Sequence, residues 1–272
     1  MALIGLIIIL SIVLLGIFAP YVTPYAPDKQ NLEQTLKPPD KDFLMGTDHL
    51  GRCIFTRIVH GIRLSLGVSF VVISIIFTLG VLIGTTAGYM GGKIDNLFMR
   101  FVDIILAFPG LVLAIGIAGI LGPSLINVMI ALAAVSWVGY ARIARGLVLS
   151  LREKEYVLAA RVSGSTHLKI IFRHILPNMI SPLIVLATLD MGAIILQISG
   201  LSFLGLGAQP PEPEWGAMLN DGRVFFQRAP WLMFYPGFAI LIVVMAFNLV
   251  GDGLRDALDP RFKKLISHKR VM

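Results

Sequence analysis

Long apolar blocks, separated by short polar or proline-rich stretches, dominate the pattern along this chain. Runs at 2–19, 66–89, 101–121, 125–141, 178–200 and 232–251 each approach the roughly 20 residues that carry a helix across about 30 Å of hydrocarbon. They predict an all-α integral membrane protein with six transmembrane helices and both termini on one side. Residues 1–64 are expected to form a first helix and an external segment, and 65–272 the main transmembrane domain. The first run, Ala2 to Ala19, has no Lys or Arg before it and no small-x-small cleavage site. It reads as a retained helix behind a short or trimmed amino terminus.

Composition agrees with this pattern. The chain is 56% hydrophobic and 14% charged, with mean hydropathy +0.83, whereas soluble domains carry roughly 25% charged residues. A formal net charge of +7 raises the question of nucleic acid, but the cations lie in loops beside apolar runs and no aromatic-studded basic groove is visible. No nucleic-acid partner is expected; membrane lipid is, and the excess charge sets orientation. Arg142, Arg145, Arg152, Lys154, Arg161, Lys169 and Arg173 crowd one connection, and Arg261, Lys263, Lys264, Lys269 and Arg270 crowd the tail. Both are expected on the cytoplasmic side with Lys93 and Arg100, leaving 20–47 and 201–231 external.

Arg52, Arg57 and Arg63 then fall outside, where Asp28, Glu33, Asp40, Asp42 and Asp48 nearly offset the positive charge of that segment. Residues 52–64 read either as a short amphipathic surface helix, with Ile54, Phe55, Ile58 and Val59 partly on one face, or as a lead-in to the second span.

Catalytic patterns are missing. Ala87-Gly-Tyr-Met-Gly-Gly-Lys93 lacks the first glycine of a phosphate loop and has Ile94 in place of Ser or Thr, so it reads as a turn at the membrane edge. Gly205-Leu-Gly207 lacks the third glycine of a dinucleotide fingerprint. The five histidines show no zincin spacing, and a single cysteine, Cys53, excludes an internal disulfide and a multi-cysteine metal cage. No enzyme activity, cofactor or metal site is expected in this chain.

One insert stands apart. Residues 150–173 interleave Leu151, Val157, Leu158, Val162, Leu168 and Ile171 with charges, which suits short amphipathic helices broken at Ser163-Gly164. Small Ala159 and Ala160 permit close approach by a partner backbone, Gly164 permits a sharp reversal, and Pro177 suits the first turn of the next span. The run Glu155-Tyr-Val-Leu-Ala159-Ala160-Arg161-Val-Ser-Gly164, closed by His174-Ile-Leu-Pro177-Asn, resembles the EAA signature of membrane subunits of ATP-binding-cassette importers, in the form found in the dipeptide, oligopeptide and nickel permease family. The resemblance extends through Gly46-Thr-Asp-His-Leu-Gly-Arg52, Leu201-Ser-Phe-Leu-Gly-Leu-Gly207, Glu214-Trp-Gly216 and Asn248-Leu-Val-Gly-Asp252-Gly-Leu-Arg-Asp256, covers nearly the whole chain, and looks like the second, C-type permease of such a system.

That resemblance implies a type I ABC importer permease fold with a cytoplasmic coupling helix at about 150–177, in a bacterial inner membrane. It implies a heterodimer with a homologous permease, two cytoplasmic ATPase subunits that hold the ATP and Mg, and an extracellular solute-binding protein. Glu155, Ala159, Ala160, Arg161, Gly164 and Pro177 are the implied ATPase-coupling residues.

Charge inside an apolar run is costly, which singles out candidates for the translocation pathway. Asp190 lies near mid-span with Gln197 on the same helix; it faces either a cavity or an interhelical hydrogen bond. Asp103 and Asp252 lie near span ends, where they either serve the path or pair with Arg100 or Arg255. Outside, Glu212, Glu214 and Trp215 are candidate contacts for the binding protein, Trp215 alternatively an exposed interfacial anchor and the two glutamates a weak cation lure. Peptide permeases of this type commonly carry a glutamate shortly before the Leu201 to Gly207 run, whereas this chain has Ile198-Ser-Gly200. The resemblance therefore leans to nickel or a metal chelate as cargo, with dipeptides or oligopeptides as the alternative. From another class, a secondary transporter with Asp190 as the ion carrier would need no ATPase.

Overall fold

A computed structural model describes residues 1–258 of the chain; the basic tail from Arg261 to Arg270 lies outside the described residues. Every long element is a helix: α1 (Ala2–Ile17), the short α2 (Ala19–Val22), α3 (Ile54–Met90), α4 (Gly92–Leu106), α5 (Gly110–Leu121), α6 (Leu125–Leu151), α7 (Glu155–Val162), α8 (His167–Ile170), α9 (Leu176–Phe203), α10 (Trp215–Gly222) and α11 (Trp231–Leu258). Each apolar run of the sequence is largely helical, though 2–19 and 101–121 are each divided between two helices. By length and composition α3, α6, α11 and the continuous helix 167–203 are able to cross a membrane, and the α4–α5 pair makes a fifth if it is one span. The 16 residues of α1 reach about 24 Å, short of a full hydrocarbon core.

Several span boundaries differ from the sequence reading: α6 runs ten residues past 141, which puts Arg142 and Arg145 on the helix and not in a connection, and α11 runs seven past 251. The run 101–121 is not one helix: α4 and α5 meet at a bend of 84°. Pro109 is the cause, since it has no N–H to give and disfavours a helical Phe108 before it, and its own carbonyl accepts the Leu113 N–H as α5 begins. The second span starts twelve residues early. Residues 54–65 are a buried lead-in to the 37-residue α3 and not a surface helix.

The centre of the fold is the α3–α6 pair. Gly80, Gly84 and Gly88 recur every four residues along α3; a Cβ on Gly84 would stand 2.2 Å from the Ala141 carbonyl oxygen, and one on Gly80 2.3 Å from the Tyr140 Cβ. Only glycine allows backbones this close, the small-xxx-small solution by which helices associate in lipid. The α4 helix is clamped to the same pair by Arg145, whose Nε and Nη2 donate to the two oxygens of Asp95 at 2.5 and 2.7 Å.

Arg52, Arg57 and Arg63, expected outside, also find their explanation. Arg52 is buried and donates to Asp48 at 2.5 Å and to Asp221 at 3.4 Å. Arg57, equally buried, donates to the carbonyls of Pro27 and Pro211. Arg63 donates to the Gly16 and Ile17 carbonyls, the unsatisfied C-terminal end of α1, where the helix dipole favours a cation. These groups tie residues 20–63 to α1 and to the connection 201–231, which gives each arginine a structural role.

Glu214 anchors the connection between α9 and α11. Its carboxylate caps α10, accepting the Gly216 and Ala217 N–H groups at 2.9 and 2.8 Å, and it lies 3.4 Å from the Ser65 hydroxyl of α3. Beside it the Trp215 indole donates to the Ile58 carbonyl at 3.1 Å. Burial pushes the Glu214 carboxyl up, while the N–H and hydroxyl partners pull the other way.

Replacing Gly84 by Leu is expected to abolish recovery of monodisperse protein in size-exclusion chromatography, whereas Gly67→Ala, with open space around it, leaves it unchanged. Glu214→Ala is expected to cost about 1–3 kcal/mol by stranding buried donors, read as a lowered unfolding midpoint in detergent. The raised carboxyl makes the folded state the better proton binder. Stability is therefore expected to fall as pH rises from the ordinary value of 4.5 towards the folded-state pKa, and Glu214→Gln should flatten that slope.

Candidate coupling segment and translocation path

The segment 150–177 folds as two short helices around a tight reversal. Glu155 sits in the first turn of α7, where a carboxylate suits the N-terminal end of the dipole. At the other end the Ser165 N–H bonds to the Ala160 carbonyl and the Gly164 N–H to that of Arg161, both at 3.1 Å. This is the six-to-one and five-to-two pair of a Schellman motif, with Gly164 at φ +76. A Cβ at Gly164 would meet no other atom within 4 Å, so backbone conformation alone demands the glycine. Thr166 caps α8 by accepting the Lys169 N–H, a π-helical turn follows at Ile171–Ile175, and Pro177 lies in the first turn of α9.

Val157, Ile170 and Ile175 are fully buried and pin this segment to the spans. The opposite side is bare: Val162 is 90% exposed, Leu168 68% and Phe172 63%. Around these apolar tips lie exposed Glu155, Ala159, Arg161 and Gly164, with Ala160 half-buried. The surface is therefore apolar at its centre, charged at its rim, and built of short side chains where a partner backbone would come nearest. That composition suits a protein partner more than solvent.

Among the pathway candidates, Asp190 accepts a hydrogen bond of 2.7 Å from the Tyr140 hydroxyl. Of the two expectations for it, the interhelical bond is present, joining α6 to α9. Only one carboxylate oxygen is used, and among the described residues no Lys or Arg pairs with Asp190. The half-buried Asp190 and Gln197 share a side of α9 with exposed Ala193, Leu196 and Gly200, and an ionisable carboxyl there is costly against acyl chains. Asp103 is elsewhere. It pairs at 2.5 Å with Arg142 of α6, both side chains more than half exposed, and not with Arg100; Asp252 is exposed on α11 without an ion pair to Arg255.

The external candidates separate. Glu212 is exposed, but Glu214 and Trp215 are 0% and 1% exposed, which corrects the expectation of a surface tryptophan and of a glutamate pair facing outward. The cap on α10 and the indole bond to α3 hold them inside. As functional candidates, Tyr140 is passed over by the sequence reading and Arg142 is taken only for an orientation charge; their partners 50 and 39 residues away are invisible to it.

Comparison with known proteins gives the geometry its context. Residues 80–264 match the family model for the binding-protein-dependent transport system inner membrane component, and residues 1–39 match the N-terminal TM domain of oligopeptide transport permease C. The dipeptide transport system permease DppC of Alkalihalophilus pseudofirmus is 51% identical over 97% of this chain and 86% of its own length. The di/tripeptide permease DppC of Pseudomonas aeruginosa is 48% identical, over 95% and 88%. The nickel permease NikC of Escherichia coli is 46% identical, over 94% and 92%. A solved inward-facing structure of the MetNI methionine ABC transporter superposes with a TM-score of 0.57 over 76% of this chain and 98% of that one, at 19% identity, and shows the same type I importer permease fold. A family match over most of the chain, joined to relatives near half identity along almost all of it, means that this protein belongs to the inner-membrane components of binding-protein-dependent transport systems, in the dipeptide, oligopeptide and nickel permease family, as a non-catalytic permease subunit of an ABC transporter.

Proposed function

We propose that this chain forms one half of the translocation pathway of an importer for short peptides and couples ATPase movement to their uptake. It pairs with a homologous permease, receives cargo from an external binding protein, and docks two cytoplasmic ATPase subunits that hold ATP and Mg. In this reading both termini and α7 lie on the cytoplasmic side. The observation that carries it is the exposed surface of α7, α8 and the π turn after them, apolar at Val162, Leu168 and Phe172 and turned by Gly164, on a chain whose family works with such partners. Glu155 and Arg161 supply rim charges, Ala159 and Ala160 allow close approach, and Pro177 starts the helix that carries the motion into the membrane.

Within the pathway, Asp190 with Tyr140 and Gln197 meets the positive group of the cargo, a peptide ammonium in the preferred case. The peptide reading rests on the dipeptide permeases at 51% and 48% identity. A second reading, nickel or a metal chelate, is favoured by Ile198-Ser-Gly200 standing where peptide permeases of this type commonly carry a glutamate, and by the nickel permease at 46%; the same carboxylate would pass a cation. Glu212 remains as an external contact for the binding protein.

Uptake of labelled dipeptide and of labelled nickel, in cells with and without the gene and before and after ATP depletion, separates these readings. ATP-dependent loss of dipeptide uptake alone is expected; loss of nickel uptake alone would reverse the cargo, and a deficit insensitive to ATP would reject the importer. Gly164→Val forces a β-branched residue into the left-handed region. It is expected to leave membrane insertion and abundance unchanged and to lower uptake at least tenfold. Asp190→Asn is expected to retain ATPase co-purification while slowing uptake about tenfold, measured in reconstituted liposomes.

A further inference from the structure

Two side-chain hydrogen bonds leave the segment 150–177 for another span among the described residues, and both end on the last turn of α3. Arg152, at the end of α6, donates to the Gly88 carbonyl at 3.0 Å. His167, the first residue of α8, shares a hydrogen bond of 3.0 Å with the Tyr89 hydroxyl through its Nδ1, and the two rings meet edge to face at 5.6 Å. Arg152 and His167 flank α7, so that helix hangs between two brackets on the same point.

These brackets differ in consequence. Arg152 belongs to α6, which the glycine ladder already packs tightly against α3. His167 lies beyond the Gly164 reversal and before the π turn at Ile171–Ile175, two places where the backbone departs from α-helical geometry and where hinges form. The Tyr89–His167 contact therefore spans a joint.

The far end of α3 is held as well. Ser65 lies beside the Glu214 carboxylate, the Ile58 carbonyl accepts the Trp215 indole, and Gly61 packs under the Pro213 carbonyl, where a Cβ would come within 2.3 Å. From Ser65 to Tyr89 the helix is unbroken, about 36 Å at 1.5 Å per residue.

We propose that Tyr89 and His167 form a latch that makes the docking segment and α3 move together, so that displacement of α7 reaches the external α10 segment along one continuous helix. This rests on the importer reading above. Both are positioning residues: neither touches nucleotide or cargo, and each acts through the helix it holds.

The test uses the complete transporter, purified through this chain with its partner subunits and binding protein and reconstituted in liposomes. Two ratios are read: ATP hydrolysis with binding protein over hydrolysis without it, and cargo taken up per ATP. Tyr89→Phe removes only the hydroxyl, and His167→Phe keeps the ring. Each is expected to lower both ratios about fivefold, the scale of one lost hydrogen bond, with ATPase subunits co-purifying in wild-type amount. The double variant should be no worse than either single one, and His167→Asn, which restores a polar partner, should recover much of the loss. Unchanged ratios, additive losses, or a loss that follows missing ATPase subunits would overturn the latch. A wild-type complex that hydrolyses ATP without any uptake would overturn the importer reading itself.

Discussion

Everything in this fold depends on how closely α3 and α6 approach. In hydrocarbon, helices gain nothing from hiding apolar surface from water, so contact between backbones and dispersion along the seam must hold them. The ladder of Gly80, Gly84 and Gly88 against Tyr140, Ala141, Ala144 and Val148 supplies that contact. Because the seam is tight, side chains on its flanks come into register: Tyr140 is presented to Asp190 on α9, Arg145 to Asp95 on α4, and Arg152 to the end of α3. A looser pair would leave these polar groups without partners in a medium that punishes it.

The polar groups divide into two populations with different tasks. In the connections 20–53 and 201–231 and the start of α3, Asp48, Arg52, Arg57 and Glu214 are buried and hydrogen-bonded, tying these stretches to one another. Within and below the spans, Asp190, Asp103 and Arg142 keep part of their surface open. A group with spare hydrogen-bonding capacity facing an open side is suited to exchange partners during transport, and one with none is suited to hold a shape.

The helices and the docking segment are legible in the sequence because their signals are local. A block of twenty apolar residues, or a small-small-Arg run closed by glycine, declares itself without knowledge of its neighbours. Boundaries escape where a tertiary contact decides them: residues 54–65 look amphipathic only if Trp215 and Glu214, some 150 residues away, are left out. For the same reason Trp215 reads as exposed, since a tryptophan in a proline-rich external loop gives no sign that a carbonyl of α3 awaits its indole. Arg63 reads as a topology charge because the end of α1 that it caps lies 46 to 47 residues upstream. Pro109 is the exception. Its bend is visible in principle, as a proline in the middle of an apolar run, but run length outweighs it.

That bend also constrains the surroundings this chain can tolerate. Where α4 stops and α5 starts, residues 106–112 are exposed in the single chain, and the first N–H groups of α5 have no turn before them to bond to. Lipid tails offer no acceptor, so irregular backbone at membrane depth survives only against protein or water. If the α4–α5 pair is one span, the break at Pro109 lies within the bilayer and has to face protein or water. Covering such a break with protein would satisfy backbone groups that acyl chains cannot, a need separate from any contact with ATPase or cargo.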